Sequence, residues 1–192
     1  PVKSLCVYCG SCVGLSPAYA QAAVQCGSVL AARGITLVYG GGNIGLMGIM
    51  ADAALAAGGK VIGVIPQALV KRELAHRGLT ELHTVRTMHE RKQKMADLSD
   101  AFLALPGGVG TMDEFFEILT WLQLGIHSKP VGLLNTTGFY AGLLDFMNHM
   151  RKEQFLRNGQ LDRLVVEYRL ELLLDKMAAF DSGSARPFAA RA

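Results

Sequence analysis

Leu103-Ala104-Leu105-Pro106-Gly107-Gly108-Val109-Gly110-Thr111-Met112-Asp113-Glu114 decides how this chain is read, because it joins a strand, a glycine loop and a carboxylate-rich helix start. Residues 101–105 are a short apolar run halted by Pro106, as expected of a strand buried on both faces. Gly107, Gly108 and Gly110 are expected to supply positive φ and close backbone approach to a ligand. From Thr111 onward, Phe115, Ile118, Leu119 and Leu122 recur at helical spacing on one side. The loop should therefore bring free N–H groups to a helix N-terminus. Such a terminus favours an anion by about 0.3–1 kcal/mol when exposed and up to ~2 kcal/mol when partly buried. Phosphate is the expected anion. A plainer reading is that Thr111-x-x-Glu114 forms a capping box whose side chains only satisfy helix N–H groups. Against it stands the crowding of Asp113, Glu114 and Glu117 within two turns, behind three glycines. Glu114 is the expected functional carboxylate, whereas Asp113 is expected to cap the helix or be solvated.

Outward from this unit, strand-like and helix-like runs alternate. Strands are expected at 5–9, 36–39, 61–65, 82–85, 101–105 and 131–134. Helices are expected at 17–32, 46–57, 89–98, from 111, and at 140–150, with a polar, basic region at 71–78. Repeated alternation predicts an α/β protein with a mostly parallel sheet and helices on both faces. Gly34 and Gly58-Gly59 fall just past two helices, where left-handed C-terminal caps are needed. One domain is expected over residues 1–180. Residues 181–192 are small, polar and aperiodic, and are expected to form a disordered tail.

The 192 residues, 51% hydrophobic and 18% charged, suit one core burying roughly 70% of the unfolded surface. The formal charge of +3 is small, and its only basic clusters are Lys71-Arg72, Arg91-Lys92-x-Lys94 and Arg151-Lys152. No nucleic-acid partner is expected, and an anion site accounts for Arg91-Lys92 as well. The sequence carries no signal-peptide pattern and no membrane-length apolar run, so a soluble cytoplasmic protein without membrane association is expected. Cys6, Cys9 and Cys12, with Cys26 further on, invite an iron–sulfur or zinc reading. Side chains three apart on a strand point to opposite faces, however, so Cys6 and Cys9 should diverge. Reduced thiols and no metal site are expected.

Ligands of open parallel sheets bind outside the carboxyl ends of the strands. Three loops rich in Gly or Ser should converge there: Gly10-Ser11, Gly40-Gly41-Gly42-Asn43-Ile44-Gly45, and the loop from Pro106 to Thr111. Gly40-x-Gly42-x-x-Gly45 matches the dinucleotide fingerprint, yet the next strand ends in Pro66-Gln67 instead of the acid that would hold a ribose hydroxyl. No Walker-type loop occurs either. A phosphorylated small molecule, not a dinucleotide, is the expected ligand.

With these motifs laid out, the chain resembles the Lonely Guy (LOG) family of cytokinin riboside 5′-monophosphate phosphoribohydrolases over about residues 4–175. The strongest mark is Pro106-Gly107-Gly108-x-Gly110-Thr111-x-x-Glu114, and the second is Met88-His89-Glu90-Arg91-Lys92. Supporting matches are Val7 to Ser11, Tyr39 to Gly42 with Gly45 to Gly48, and the run from Thr120 to Gly132. The resemblance implies a Rossmann-like fold, a homodimer and no cofactor. It implies hydrolysis of a nucleoside 5′-monophosphate to free base and ribose 5-phosphate. It assigns catalysis to Arg91 and Glu114. Substrate contacts are implied at Glu73, Lys92, Gly107, Gly108, Val109, Gly110, Thr111, Met112, Asp113 and Thr120. Ser11, Gly41 and Gly42 are further contacts expected from their places after strands.

The chemistry suits these residues. Cleaving a ribose N-glycosidic bond builds positive charge on the sugar, which a carboxylate such as Glu114 stabilises. An arginine guanidinium gives up its proton poorly, so Arg91 should instead hold phosphate, ribose or departing base. If Arg91 and Lys92 were only structural, both would sit on a solvated helix face. His89 and Asp113 are nearby candidates to protonate the base. Trp121 is expected in the core or at a dimer contact. Alternative functions are an AMP nucleosidase, or a non-catalytic nucleotide or cofactor carrier, which would need the cradle without both charged groups. An amino-acid decarboxylase would need a lysine in a pyridoxal phosphate setting, and no lysine stands out.

Overall fold

In the computed structural model, residues 1–157 and 159–180 are described. The tail expected at 181–192 lies outside them. The elements run β1 (Ser4–Tyr8), α1 (Pro17–Ala32), β2 (Thr36–Tyr39), α2 (Gly45–Ala56), β3 (Val61–Pro66), β4 (Glu81–Val85) and α3 (Met88–Asp97). They continue with β5 (Ala101–Ala104), α4 (Val109–Gln123), β6 (Val131–Leu134), α5 (Ala141–Lys152), β7 (Leu164–Glu167) and α6 (Leu170–Ala178). Expected and observed bounds agree to within one or two residues up to α5.

The seven strands form one parallel sheet in the order β4-β3-β2-β1-β5-β6-β7. From β1 to β4 the chain steps outward in one direction. It then returns to lay β5 on the other side of β1. The loops leaving β1 and β5 thus diverge, which opens a crevice at their carboxyl ends. Alternate residues of each strand feed two apolar layers. Leu5, Val7, Leu37 and Leu103 pack with Cys26, Met50 and Leu173 of α1, α2 and α6. Cys6, Tyr8, Val38 and Phe102 pack with Met95, Phe115 and Met147 of α3, α4 and α5. Cys6 and Cys9 accordingly lie in different layers, as the strand periodicity requires.

Local chemistry fixes the helix ends. Ser16 caps α1, its hydroxyl accepting from the Ala18 N–H, with Pro17 opening the helix. Thr87 caps α3 by accepting from the Glu90 N–H, while Glu90 reaches back to the Arg86 N–H. A reciprocal cap therefore forms at Thr87 and Glu90 and not at Thr111 and Glu114. Helix α4 starts two residues earlier than expected, its N-cap is Gly108, and no side chain caps it. Gly34 and Gly58 take left-handed φ of 67° and 78° after α1 and α2, as C-terminal caps require. The sequence reading had no counterpart for β7 and α6. Strand β7 is a four-residue edge strand with only Val165 fully buried, so its apolar signal is short and one-sided.

Candidate functional site

The crevice is a cavity of about 240 Å³ at the carboxyl ends of β1 and β5. All three loops reach it: Ser11 after β1, Gly40 after β2, and the residues from Gly108 to Thr111 after β5. Backbone contact joins the first and third, because the Gly10 N–H donates to the Pro106 carbonyl at 3.1 Å. That closeness needs glycine. A Cβ on Gly107 would stand 2.1 Å from the Thr111 hydroxyl and 2.9 Å from the Gly10 nitrogen. Positive φ is not the reason: Gly107, Gly108 and Gly110 are not among the residues in the left-handed region. That expectation is corrected, since what these glycines provide is space. A Cβ on Gly108 or Gly110 would meet nothing within 4 Å, so the uncapped start of α4 faces an open cavity. Free N–H groups and a dipole at such a helix start are able to hold an anion.

Arg91 and Glu114 enter this cavity from α3 and α4. Arg91 is 4% exposed, so the solvated helix face is overturned for it. Its Nε donates to the Val64 carbonyl at 3.0 Å, and its Nη2 donates to the Gly40 carbonyl at 2.7 Å and to Glu73 Oε2 at 3.0 Å. These bonds leave Nη1 as the nitrogen with capacity for an incoming acceptor, its one contact being the Met88 sulfur at 4.0 Å. A Cβ on Gly40 would lie 2.2 Å from Arg91 Nη2, which explains why glycine stands there.

Glu114 takes no hydrogen bond from any described residue. Burial pushes its carboxyl up to about 7, Arg91 pulls it partly back, and Glu73 adds repulsion. The group is therefore poised between carboxylate and acid near neutral pH. Asp113 also lines the cavity, yet it is held by Lys92 at 2.8 Å. His89 is exposed and does not line it.

Of the expected substrate contacts, the cavity brings together Ser11, Glu73, Gly108, Val109, Gly110, Thr111 and Asp113. Six others are placed differently. Lys92, 12% exposed, bridges Asp113 and Glu117 and so ties α3 to α4. Gly107 is packed beneath the cavity, against Gly10 and Thr111. Met112 and Thr120 lie on the outer side of α4, in a shallow depression with Phe116 and Trp121. Gly41 and Gly42 turn their carbonyls to the protein: Gly41 accepts from the His76 N–H at 2.9 Å, and Gly42 from the Tyr39 hydroxyl at 2.9 Å. With Gly40 receiving Arg91, this loop acts through its carbonyls and supports the arginine instead of cradling phosphate. Tyr8, Met47 and Met88 also line the cavity; each stands in a motif of the family resemblance, but none was given a role at the site. Tyr8 was recognisable as the carboxyl end of the strand at the switch point, whereas the methionines stood in the motifs without any polar chemistry to mark them.

The chain matches the family model described as "Possible lysine decarboxylase" over residues 47–177. It is similar to a cytokinin riboside 5′-monophosphate phosphoribohydrolase of Rhodococcoides fascians, 50% identical over 165 residues, covering 85% of this chain and 83% of that protein. A second protein so named, from Arabidopsis thaliana, is 51% identical over 154 residues, covering 80% and 72%. Among solved structures, the molybdenum cofactor carrier protein of Chlamydomonas reinhardtii has a TM-score of 0.69 at 19% identity, covering 94% of this chain and all of that one. The molybdenum cofactor binding protein of Rippkaea orientalis has a TM-score of 0.67 at 20% identity, covering 91% and 93%. At such identity these two establish a shared Rossmann-like fold and nothing of function.

Proposed function

The chain belongs to the cytokinin riboside 5′-monophosphate phosphoribohydrolase family, and on that premise we propose that it hydrolyses the N-glycosidic bond of adenosine 5′-monophosphates, including N6-modified ones. The bond between the base nitrogen and C1′ of ribose breaks, water supplies hydroxide to C1′ and a proton to the base, and the products are free base and ribose 5-phosphate. The observation that carries this reading is the meeting of Glu114 and Arg91 at one cavity with the open N-terminus of α4. The helix N-terminus takes the phosphate. Glu114 as carboxylate stabilises the positive charge growing on the ribose and orients water. Arg91 presents Nη1 to the substrate by charge-assisted hydrogen bonding. A carrier would need only the cradle, and it gives no reason for a carboxylate poised beside a fixed arginine. A pyridoxal phosphate decarboxylase needs a cavity lysine, and no described lysine lines this one.

The same reading includes a homodimer formed through the outer side of α4. Met112, Phe116, Thr120 and Trp121 lie there, continuous with Val109, which is 87% exposed and also borders the cavity. A second copy seated on this face would bring its own α4 residues to the cavity mouth. Cys6, Cys9 and Cys26 are buried and unpaired, which suits the reducing cytoplasm. No described helix is long and apolar enough to cross a membrane.

Incubating the purified protein with AMP and with isopentenyladenosine monophosphate, then resolving free base and ribose 5-phosphate by chromatography, tests the reaction. Both products are expected, with turnover reduced at least a hundredfold in Glu114→Gln and in Arg91→Ala. Equal turnover in Glu114→Gln would overturn the assignment.

A further inference from the structure

The Arg91 guanidinium is held at the cavity by the Val64 and Gly40 carbonyls, the Glu73 carboxylate and the Met88 sulfur. Of its four neighbours, only Glu73 carries charge. Glu73 belongs to no helix or strand of the sheet, so its place must be fixed from outside. Residues 73–78 are clasped onto the loop Gly40 to Asn43. The Asn43 N–H is shared between the carbonyls of Glu73 and Leu74 at 3.0 and 2.9 Å, Ala75 forms an antiparallel bridge to Gly42, and the His76 N–H donates to the Gly41 carbonyl. Leu74 holds a left-handed φ of 49°, a conformation costly for a leucine and kept only where the surroundings enforce it.

The side chain of His76 anchors this clasp. It is 9% exposed, its Nδ1 accepts the Gly78 N–H at 3.0 Å, and its proton therefore sits on Nε2, which donates to Asp52 Oδ1 at 2.7 Å. Asp52 lies on α2, the helix that starts where the glycine loop ends. A strut thus runs from α2 through Asp52 and His76 to the clasp, and from Glu73 to Arg91. We propose that His76 and Asp52 are positioning residues that act through Glu73 to set the orientation of Arg91. Neither lines the cavity, so their effect on the reaction is indirect. The inference rests on the hydrolase reading for its kinetic consequences, and on geometry alone for the orientation itself.

Two partial mimics of the imidazole separate its contacts. Asparagine keeps an acceptor near Nδ1 and cannot reach Asp52, whereas glutamine keeps a donor near Nε2. Asp52 is 66% exposed in its side chain, so Asp52→Ala is expected to fold with little change in melting temperature. Asp52→Ala and His76→Asn should each lower kcat/KM about tenfold, and His76→Gln should stay within about threefold of wild type. In a Glu73→Ala background, adding Asp52→Ala should change kcat/KM less than twofold, because the route to Arg91 is already cut. Full multiplication of the two losses, no loss in Asp52→Ala, or losses that merely follow melting temperature would overturn the proposal. Hydrogen exchange at the Arg91 Nε–H, followed by nitrogen-15 NMR, gives a readout independent of catalysis. It should quicken at least tenfold in Asp52→Ala and His76→Asn and not in His76→Gln; unchanged exchange overturns the proposal even if the wild-type protein shows no turnover. Absent turnover with quickened exchange would instead count against the hydrolase reading alone.

Discussion

Glu114 shows how one residue can carry two testable consequences of the same environment. Burial holds its carboxyl at about 7 instead of 4.5, so the folded state prefers the protonated form. The resulting stability is complete below pH 4.5 and is lost as pH rises through 7. Glu114→Gln, which stays neutral, should match the wild type in denaturant titrations at about pH 4 and exceed it at about pH 8. The difference should be about 2 kcal/mol, less than the ~3 kcal/mol of full conversion because the cavity admits solvent. For turnover the sign is opposite. The carboxylate is the form that stabilises a cationic ribose, so kcat should rise with pH through an inflection near 7. A rate that falls over that range would make Glu114 the donor of the proton to the base. At this scale the arrival of Glu114 at the cavity was legible in the sequence, since it stands in the first turns of the helix that follows the glycine loop. The burial of Arg91 was not. Its neighbours His89, Glu90, Lys92 and Lys94 are all polar, and only Gly40 and Val64, distant in sequence, provide its acceptors.

Helix α4 illustrates the element scale. Its apolar spacing was plain, and its start was placed two residues late, at Thr111, because Gly110 was read as part of the loop. The helix instead begins at Val109 with glycine before it, leaving N–H groups free for a ligand. The three glycines therefore differ in tolerance. Gly107→Ala forces a Cβ into the Thr111 hydroxyl and the Gly10 backbone, and should cost about 1–3 kcal/mol by chemical denaturation, with turnover reduced. Gly108→Ala places its methyl in open space, so stability should change by less than about 1 kcal/mol while KM for the nucleotide rises several-fold, because the methyl occupies ligand space. Equal destabilisation by both substitutions would contradict this division. Elements with strong periodicity and glycine punctuation were readable; β7 is a four-residue edge strand with neither, whereas α6 does carry helical spacing in Leu170, Leu173, Leu174 and Met177 but is only nine residues long and has no glycine to mark its ends.

The whole molecule sets the site through the order of its strands. The return of β5 to the far side of β1 makes the crevice, and α3 and α4 bring Arg91 and Glu114 to it from the same face of the sheet. On the outer side of α4, Met112, Phe116 and Trp121 pack against the core and are only partly covered, beside the exposed Val109, which fits the proposed dimer. Light scattering should give twice the mass of one chain, and Phe116→Glu should halve it and lower turnover at least tenfold, whereas a monomeric wild type would refute the dimer. By itself the sequence determined the alternation of strands and helices, the parallel sheet, the convergence of three loops and the carboxylate, because these follow from periodicity, glycine placement and residue chemistry over short spans. Only the tertiary structure decided that the Gly40 to Gly42 loop supports Arg91, that Lys92 ties α3 to α4, and that Met112 and Thr120 face away from the cavity. The first two of those outcomes depend on groups that meet from distant parts of the chain, Lys92 with Asp113 and Arg91 with Gly40, and short-range patterns carry no record of such meetings.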